Sequence, residues 1–302
     1  MNAVNFVIGL MALATGALAQ IDVSLRDPAI CRAPDGTYYL TGTTKINTLE
    51  PKHADFQNND GIRLWQSKDL KAWQEIGLVW DFSKVPGKDY QHGNWQRHLR
   101  AVPGQPEMPW SHGATSPELH YFRDTFWITF AMNDEHVGLL KSTTGKAEGP
   151  YVEIGLIGHR LLGGDPSLFA DTDGAVYFVW GQGYLARLND ELTALAEEPR
   201  SLQLAVAGYP HDETIVDASG ERGAFVFRQD DKYHFVFSAW NRRDGAGHFD
   251  TFLCTATNVS GPYSKPQRLF ADAGQTTVFR DAAGALHAVW SVNDTLTIRR
   301  LP

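Results

Sequence analysis

Cysteine is nearly absent from this chain: Cys31 and Cys254 are the two in 302 residues, so neither a disulfide framework nor a zinc-type spacing can be drawn. The pair reads as two buried thiols, with a single bridge as the alternative. Long runs of one charge are missing as well. The net charge of -8 is spread along the sequence, which excludes the basic footprint of a nucleic-acid partner. Beyond residue 20 no apolar stretch is long enough to span a bilayer, so no membrane partner is expected. No amphipathic helix of useful length separates the apolar runs, which speaks against an alternating β/α fold. The eleven His are scattered without metal-ligand spacing, and no P-loop or Ser nucleophile elbow is present. The loose dinucleotide fingerprint GQGYLA from Gly181 has no βαβ unit around it.

What is present is apolar and aromatic. Hydrophobic residues make up 43% and aromatics 12%, enough for one full core. The first twenty residues, MNAVNFVIGLMALATGALAQ, hold an apolar stretch from Val4 to Ala17 and then the small-x-small pattern Ala17-Leu18-Ala19. That pattern predicts a signal peptide over 1–19, a mature domain over 20–302, and a secreted or periplasmic protein; a buried first strand is the alternative.

One pattern recurs five times: DPAICRAPDGTYYLTGT from Asp27, SPELHYFRDTFWITFA from Ser116, DPSLFADTDGAVYFVWG from Asp165, RGAFVFRQDDKYHFVFSA from Arg222 and QTTVFRDAAGALHAVW from Gln275. Each copy has a polar first residue, an apolar residue three places on, an Asp/Gly-rich turn and an apolar, aromatic run. Asp35-Gly36 and Asp173-Gly174 are hairpin turn signals. A second alternating hairpin follows most copies, as in GIRLWQSKDLKAWQEIG from Gly61. Two hairpins per unit, with the last four copies about 49 to 57 residues apart, predict an all-β, five-bladed β-propeller of four-stranded antiparallel blades. The first two copies are about 90 residues apart, and the excess falls mainly between Phe82 and Gly113. That insertion carries His92, Trp95, His98, Trp110 and His112, and Trp110 and His112 are candidates for a sugar-stacking platform.

In a propeller the innermost strands line a central channel, so residues of one repeat column converge. The first column reads Asp27, Ser116, Asp165, Arg222 and Gln275, with Glu118 and Glu221 close by. Crowded carboxylates shift one another's proton affinities in the sense glycoside hydrolysis needs, one carboxyl protonated and another ionised.

These segments resemble glycoside hydrolase family 43. LRDPAICRAPDGTYYLTGTT is similar to its first-blade motif, which implies that Asp27 is the general base. SPELHYF resembles its second-blade motif and places Glu118 at a substrate-pocket position. GGDPSLFADTDGAVYFVWG resembles its third-blade motif, implying that Asp165 tunes and orients the acid. The sequence departs from the family at two places. The family's acid is a Glu directly before Gly-Ala or Gly-Pro; here Arg222 stands there and Glu221 lies one residue early. A one-residue shift in a regular strand turns a side chain to the other face, unless a β-bulge restores it. Arg222 is the alternative: a pocket cation facing the substrate. At the fifth blade Gln275 stands where many members carry a His associated with a central metal. The resemblance thus implies an inverting glycosidase on oligo- or polysaccharides of the arabinoside, xyloside or galactoside class. It is expected to be monomeric and to need no cofactor, with Ca2+ in the central channel as an alternative. A propeller that binds glycans without cleaving them is the rival expectation.

Overall fold

The first hairpin of every copy forms because its central residues can pass through positive φ. Gly36 (φ 83), Gly174 (φ 87) and Gly284 (φ 80) do so in three copies, and the pairs Arg123-Asp124 and Asp230-Asp231 in the other two. Side chains finish some of these turns, as where the Asp35 carboxylate accepts from the Thr37 N–H at 2.9 Å.

The structure, a computed structural model, describes residues 21, 23–49, 51–85, 95–96, 113–132, 136–157, 164–208, 217–241 and 247–301. The expected signal peptide, His92, His98, Trp110 and His112 lie outside the described residues. The first blade is an antiparallel meander of β1 (Leu25–Arg32), β2 (Tyr38–Thr44), β3 (Gly61–Ser67) and β4 (Gln74–Asp81). The second is β5 (Ala114–Phe122), β6 (Thr125–Met132), β7 (His136–Ser142) and β8 (Tyr151–Leu156). β9 (Ser167–Ala170), β10 (Val176–Trp180), β11 (Tyr184–Arg187) and β12 (Arg200–Ser201) make the third. β13 (Asp217–Gln229), β14 (Lys232–Asn241), β15 (His248–Ala256) and β16 (Gln267–Phe270) make the fourth. The fifth has β17 (Thr277–Arg280), β18 (Leu286–Val292) and β19 (Thr295–Arg300), three strands among the described residues. The chain is therefore the all-β, five-bladed propeller that the repeats predict.

The core lies between blades. β2 and β6 are buried at every position because a neighbouring blade covers each face. Ile62 and Leu64 of the first blade pack with Ile128 and Phe130 of the second, and Val179 and Leu185 of the third with Phe235 and Phe237 of the fourth. Leu25 and Leu40 pack with Val289 and Leu296, which closes the ring from last blade to first. Polar bonds reinforce that closure: Thr277 Oγ1 donates to the Pro28 carbonyl at 3.0 Å and the Ala282 N–H to Tyr38 Oη at 2.9 Å. Both cysteines are free thiols, and burial pushes that of Cys31 up to about 12.

Candidate active site

Four non-glycine residues at the start of innermost strands hold a left-handed backbone: Asp27 (φ 50), Ser116 (φ 49), Asp165 (φ 57) and Gln275 (φ 35). Such a conformation disfavours L side chains by roughly 1–2 kcal/mol each, so it persists only where surroundings fix it. The same irregularity recurs in the pairing. From Arg26 to Ala29, from Thr115 to Glu118 and from Arg222 to Phe225, three steps on the inner strand face two on its partner. This one-residue bulge turns the column toward the channel mouth.

The fourth-blade member of the column is Gly223 (φ 67), which corrects the sequence alignment that put Arg222 there. Arg222 pairs with Ser238 just before the bulge, at the register position of Arg26. Phe225 and Val226 are both apolar, so counting three places to an apolar residue fits Arg222 and Gly223 equally well. Space decides between them. A Cβ on residue 223 would lie 2.9 Å from Gln275 Cα, so a glycine is required.

Asp27, Ser116, Asp165, Arg222 and Gln275 all line one cavity of about 870 Å3 at the channel mouth. Asp165 is its best-fixed group. Ser116 Oγ donates to its Oδ1 at 2.6 Å, Gln275 Nε2 to Oδ1 at 2.5 Å, and the Gly223 N–H to Oδ2 at 2.9 Å. Three donors favour the ionised carboxylate. Asp27 joins the same array: Thr43 Oγ1 donates to its Oδ2 at 2.7 Å and itself accepts the Ser116 N–H at 2.8 Å. A continuous hydrogen-bonded chain thus runs from Asp27 through Thr43 and Ser116 to Asp165.

One wall of the mouth is aromatic. Trp240 and Phe249 pair across β14 and β15, with ring centroids 4.7 Å apart at 68°. Facing them, Arg26 and Lys45 bracket the Phe56 ring at 4.0 and 4.5 Å, and both bind Asp294, at 2.8 and 2.9 Å. Sequence reasoning missed Thr43, Gly223, Trp240 and Phe249, because cross-strand partners are invisible before register is known. Arg222 is an exposed residue of the cavity wall. Glu221 belongs to β13, where five steps from Asp217 to Arg222 face two steps from Trp240 to Ser238. Glu221 is followed here along the backbone only, its side chain lying outside the described ones.

Glu118 is not at the mouth. Two residues past Ser116, it lines a second cavity of about 320 Å3 with Cys31, His120, Phe225 and Thr277, apart from the residues of the mouth. Buried to 5% exposure, its carboxyl is pushed up to about 8 by loss of hydration, with the nearby Asp165 charge adding and the Ser167 hydroxyl opposing. Burial drives His120 the other way, to about 3, and its Nε2 accepts the Leu168 N–H at 3.3 Å. The 3.4 Å approach of Glu118 Oε2 to His120 Nε2 is then a contact between neutral groups at pH 7. A carboxyl raised from 4.5 to about 8 binds a proton more tightly when folded, so it withdraws stability as pH climbs through that window. Wild type is expected to lose on the order of 4 kcal/mol there, and Glu118→Gln to lose less; unfolding midpoints between pH 5 and pH 9 check this.

The central cation that the resemblance implies must be tested against these donors. Asp165 is an acceptor-only carboxylate, so the Gln275 amide turns its NH2 toward it. A cation seated at Asp165 would meet N–H or O–H groups from Gln275, Gly223 and Ser116. Bonded as they are here, with Gln275 and Ser116 donating and the Gly223 N–H unable to turn, these residues do not fit an ion at Asp165, and no three His, Cys, Asp or Glu among the described residues are grouped to hold one.

Comparison with known proteins agrees with the fold. The family model "Glycosyl hydrolases family 43" matches residues 21–268. The β-D-galactofuranosidase of Aspergillus niger is 23% identical over 82% of this chain and 71% of its own length. The xylan 1,3-β-xylosidase of Vibrio sp. is 26% identical over 78% of this chain and 40% of its own, so this chain spans less than half of that relative. Among solved structures, an endo-arabinase from Bacteroides thetaiotaomicron superposes with a TM-score of 0.68 at 20% identity, covering 95% of this chain and 97% of that one.

Proposed function

Because the chain belongs to family 43 of the glycosyl hydrolases, we propose that its mouth cavity hydrolyses a glycosidic bond with inversion. Asp27 accepts a proton from water, whose oxygen attacks the anomeric carbon as the bond to the leaving oxygen breaks. Glu221 gives its proton to that oxygen, and Asp165 orients this acid and holds its proton on. Inversion requires the base and acid carboxyls to stand roughly 6.5–9.5 Å apart, leaving room for the water. The observation that carries this reading is the hydrogen-bonded array in which Asp27 and Asp165 face one cavity. Trp240 and Phe249 suit the apolar face of a sugar ring, and Arg222 a substrate hydroxyl or carboxylate.

The substrate class we favour is arabinosides, xylosides or galactosides of oligo- and polysaccharides. It is supported by relatives named as a galactofuranosidase and xylosidases and by the arabinase-like fold. We read the protein as a monomer exported by cleavage after residue 19, consistent with its apolar start and its small-x-small site. The test is turnover of aryl glycosides and plant glycans by wild type and Glu221→Gln. Loss of about 10²-fold or more in Glu221→Gln is expected for a general acid. Full activity in that variant would move the acid elsewhere. Glycan binding with no turnover by wild type would leave the mouth a binding site.

A further inference from the structure

We propose that Gln275 is a positioning residue for Asp165, fixing the direction and charge of that carboxylate from the fifth blade without a resident cation. The proposal rests on the role for Asp165 given above. Its geometry is independent of that role. Gln275 is the fifth member of the left-handed column, and its Nε2 reaches Asp165 Oδ1 at 2.5 Å across the channel mouth. Its backbone is clamped from both neighbouring blades. On one side Thr251 Oγ1 donates to the Ala273 carbonyl at 2.7 Å and lies 2.7 Å from the buried Thr276 Oγ1. On the other side Thr277 Oγ1 is tied to the Pro28 carbonyl at 3.0 Å. The missing side chain of Gly223 lets the Gln275 backbone approach its neighbour closely, since a Cβ there would press on Gln275 Cα, Cβ and Cγ. A backbone anchored in this way sets where the Gln275 side chain starts, so only its own torsions are left to fix on bonding Asp165.

Gln275 thereby does what a bound cation could do, favouring the ionised form of Asp165 and fixing its plane, and it does so with a neutral donor. The Ser116 hydroxyl approaches the same Oδ1 and the Gly223 N–H the other oxygen, while Thr43 and Asp27 lie beyond Ser116. Arg222 shares the mouth, and Glu118 lies deeper in the channel as a neutral acid at pH 7. Removing the amide takes one donor from the carboxylate, so its proton affinity must rise.

The test compares wild type, Gln275→Ala and the size-conserving Gln275→Glu in kcat and KM from pH 4 to pH 9, with and without millimolar calcium or a chelator. In Gln275→Ala we expect kcat to fall about 10- to 100-fold, the range for one hydrogen bond to a charged group. KM should change little, and the acidic limb of the profile should move to higher pH. Gln275→Glu sets two carboxyls against each other and should move that limb further. Wild type should be indifferent to calcium and chelator in both rate and unfolding midpoint. A raised KM with unchanged kcat would make Gln275 a substrate contact and overturn the proposal, as would a limb that stays in place while the midpoint falls. Calcium-dependent stability or activity in wild type would overturn its cation-free part. If wild type hydrolyses nothing, the hydrolase reading fails by itself, and 13C titration of the Asp165 carboxyl still decides this one. An upward move in Gln275→Ala supports it and an unmoved titration overturns it.

Discussion

Asp165→Asn is expected to lower kcat/KM by about 10²–10³-fold while moving the unfolding midpoint little. The asymmetry follows from which donors around Asp165 can turn. The Gly223 N–H belongs to the backbone and must keep an oxygen in front of it, so an asparagine would set its carbonyl there and its NH2 toward Ser116 and Gln275. The Ser116 hydroxyl can rotate to accept, and the Gln275 amide can flip to present its oxygen. The three donors named here then each keep a partner, and what is lost is the charge. Asp165→Ala separates the two effects by leaving three donors without an acceptor, at about 1–3 kcal/mol for each that water cannot reach. It should therefore lower both rate and stability. Single-turnover rates and thermal unfolding of the two variants check this; equal stability loss in both would mean that the donors do not reorganise as described.

Asp27→Asn should cost more in rate and less in structure. Asparagine tolerates the left-handed backbone that residue 27 adopts at φ 50, and its carbonyl can still accept from Thr43 Oγ1. What it cannot do is take a proton from water, and loss of a positioned base lowers rate by about 10²–10⁴-fold. We expect a fall in kcat of about 10³-fold or more with KM and the unfolding midpoint near wild type. A general base leaves a further mark, because its own titration should vanish from the acidic side of the residual rate while that of Asp165 remains. Asp27→Asn with more than a tenth of wild-type kcat would remove Asp27 from the role of base.

The blade count was legible because a propeller repeats its chemistry. Asp- or Gly-bearing turns, with apolar runs at matching offsets, mark each first hairpin, and their spacing leaves room for a second. Asp27, Asp165 and Gln275 were legible for the same reason, standing at one offset from an apolar residue in three copies. Arg222 was misplaced by one because Phe225 and Val226 satisfy that offset equally, and strand period alone cannot see a bulge. Glu118 was placed in the substrate pocket by the likeness of SPELHYF to the second-blade motif. In space those residues carry it past the bulge into the channel. An aromatic pair unforeseen in the sequence, Trp240 and Phe249, stands on β14 and β15, while Trp110 and His112 of the insertion lie outside the described residues.

The sequence by itself determined the all-β repeat, the number of blades and four of the five residues that begin the inner strands, since local turn chemistry and period-2 patterning act within about twenty residues of chain. Only the tertiary structure decided which of these residues meet. The bond from Gln275 to Asp165 joins positions 110 apart in sequence, and the clearance demanded at Gly223 comes from the segment that leads into β17 of the next blade. Contacts of that kind depend on how five blades close around a channel, which no local pattern encodes. That closure also buries Glu118 and leaves Asp165 among donors, setting two carboxyls of similar chemistry in opposite states of charge.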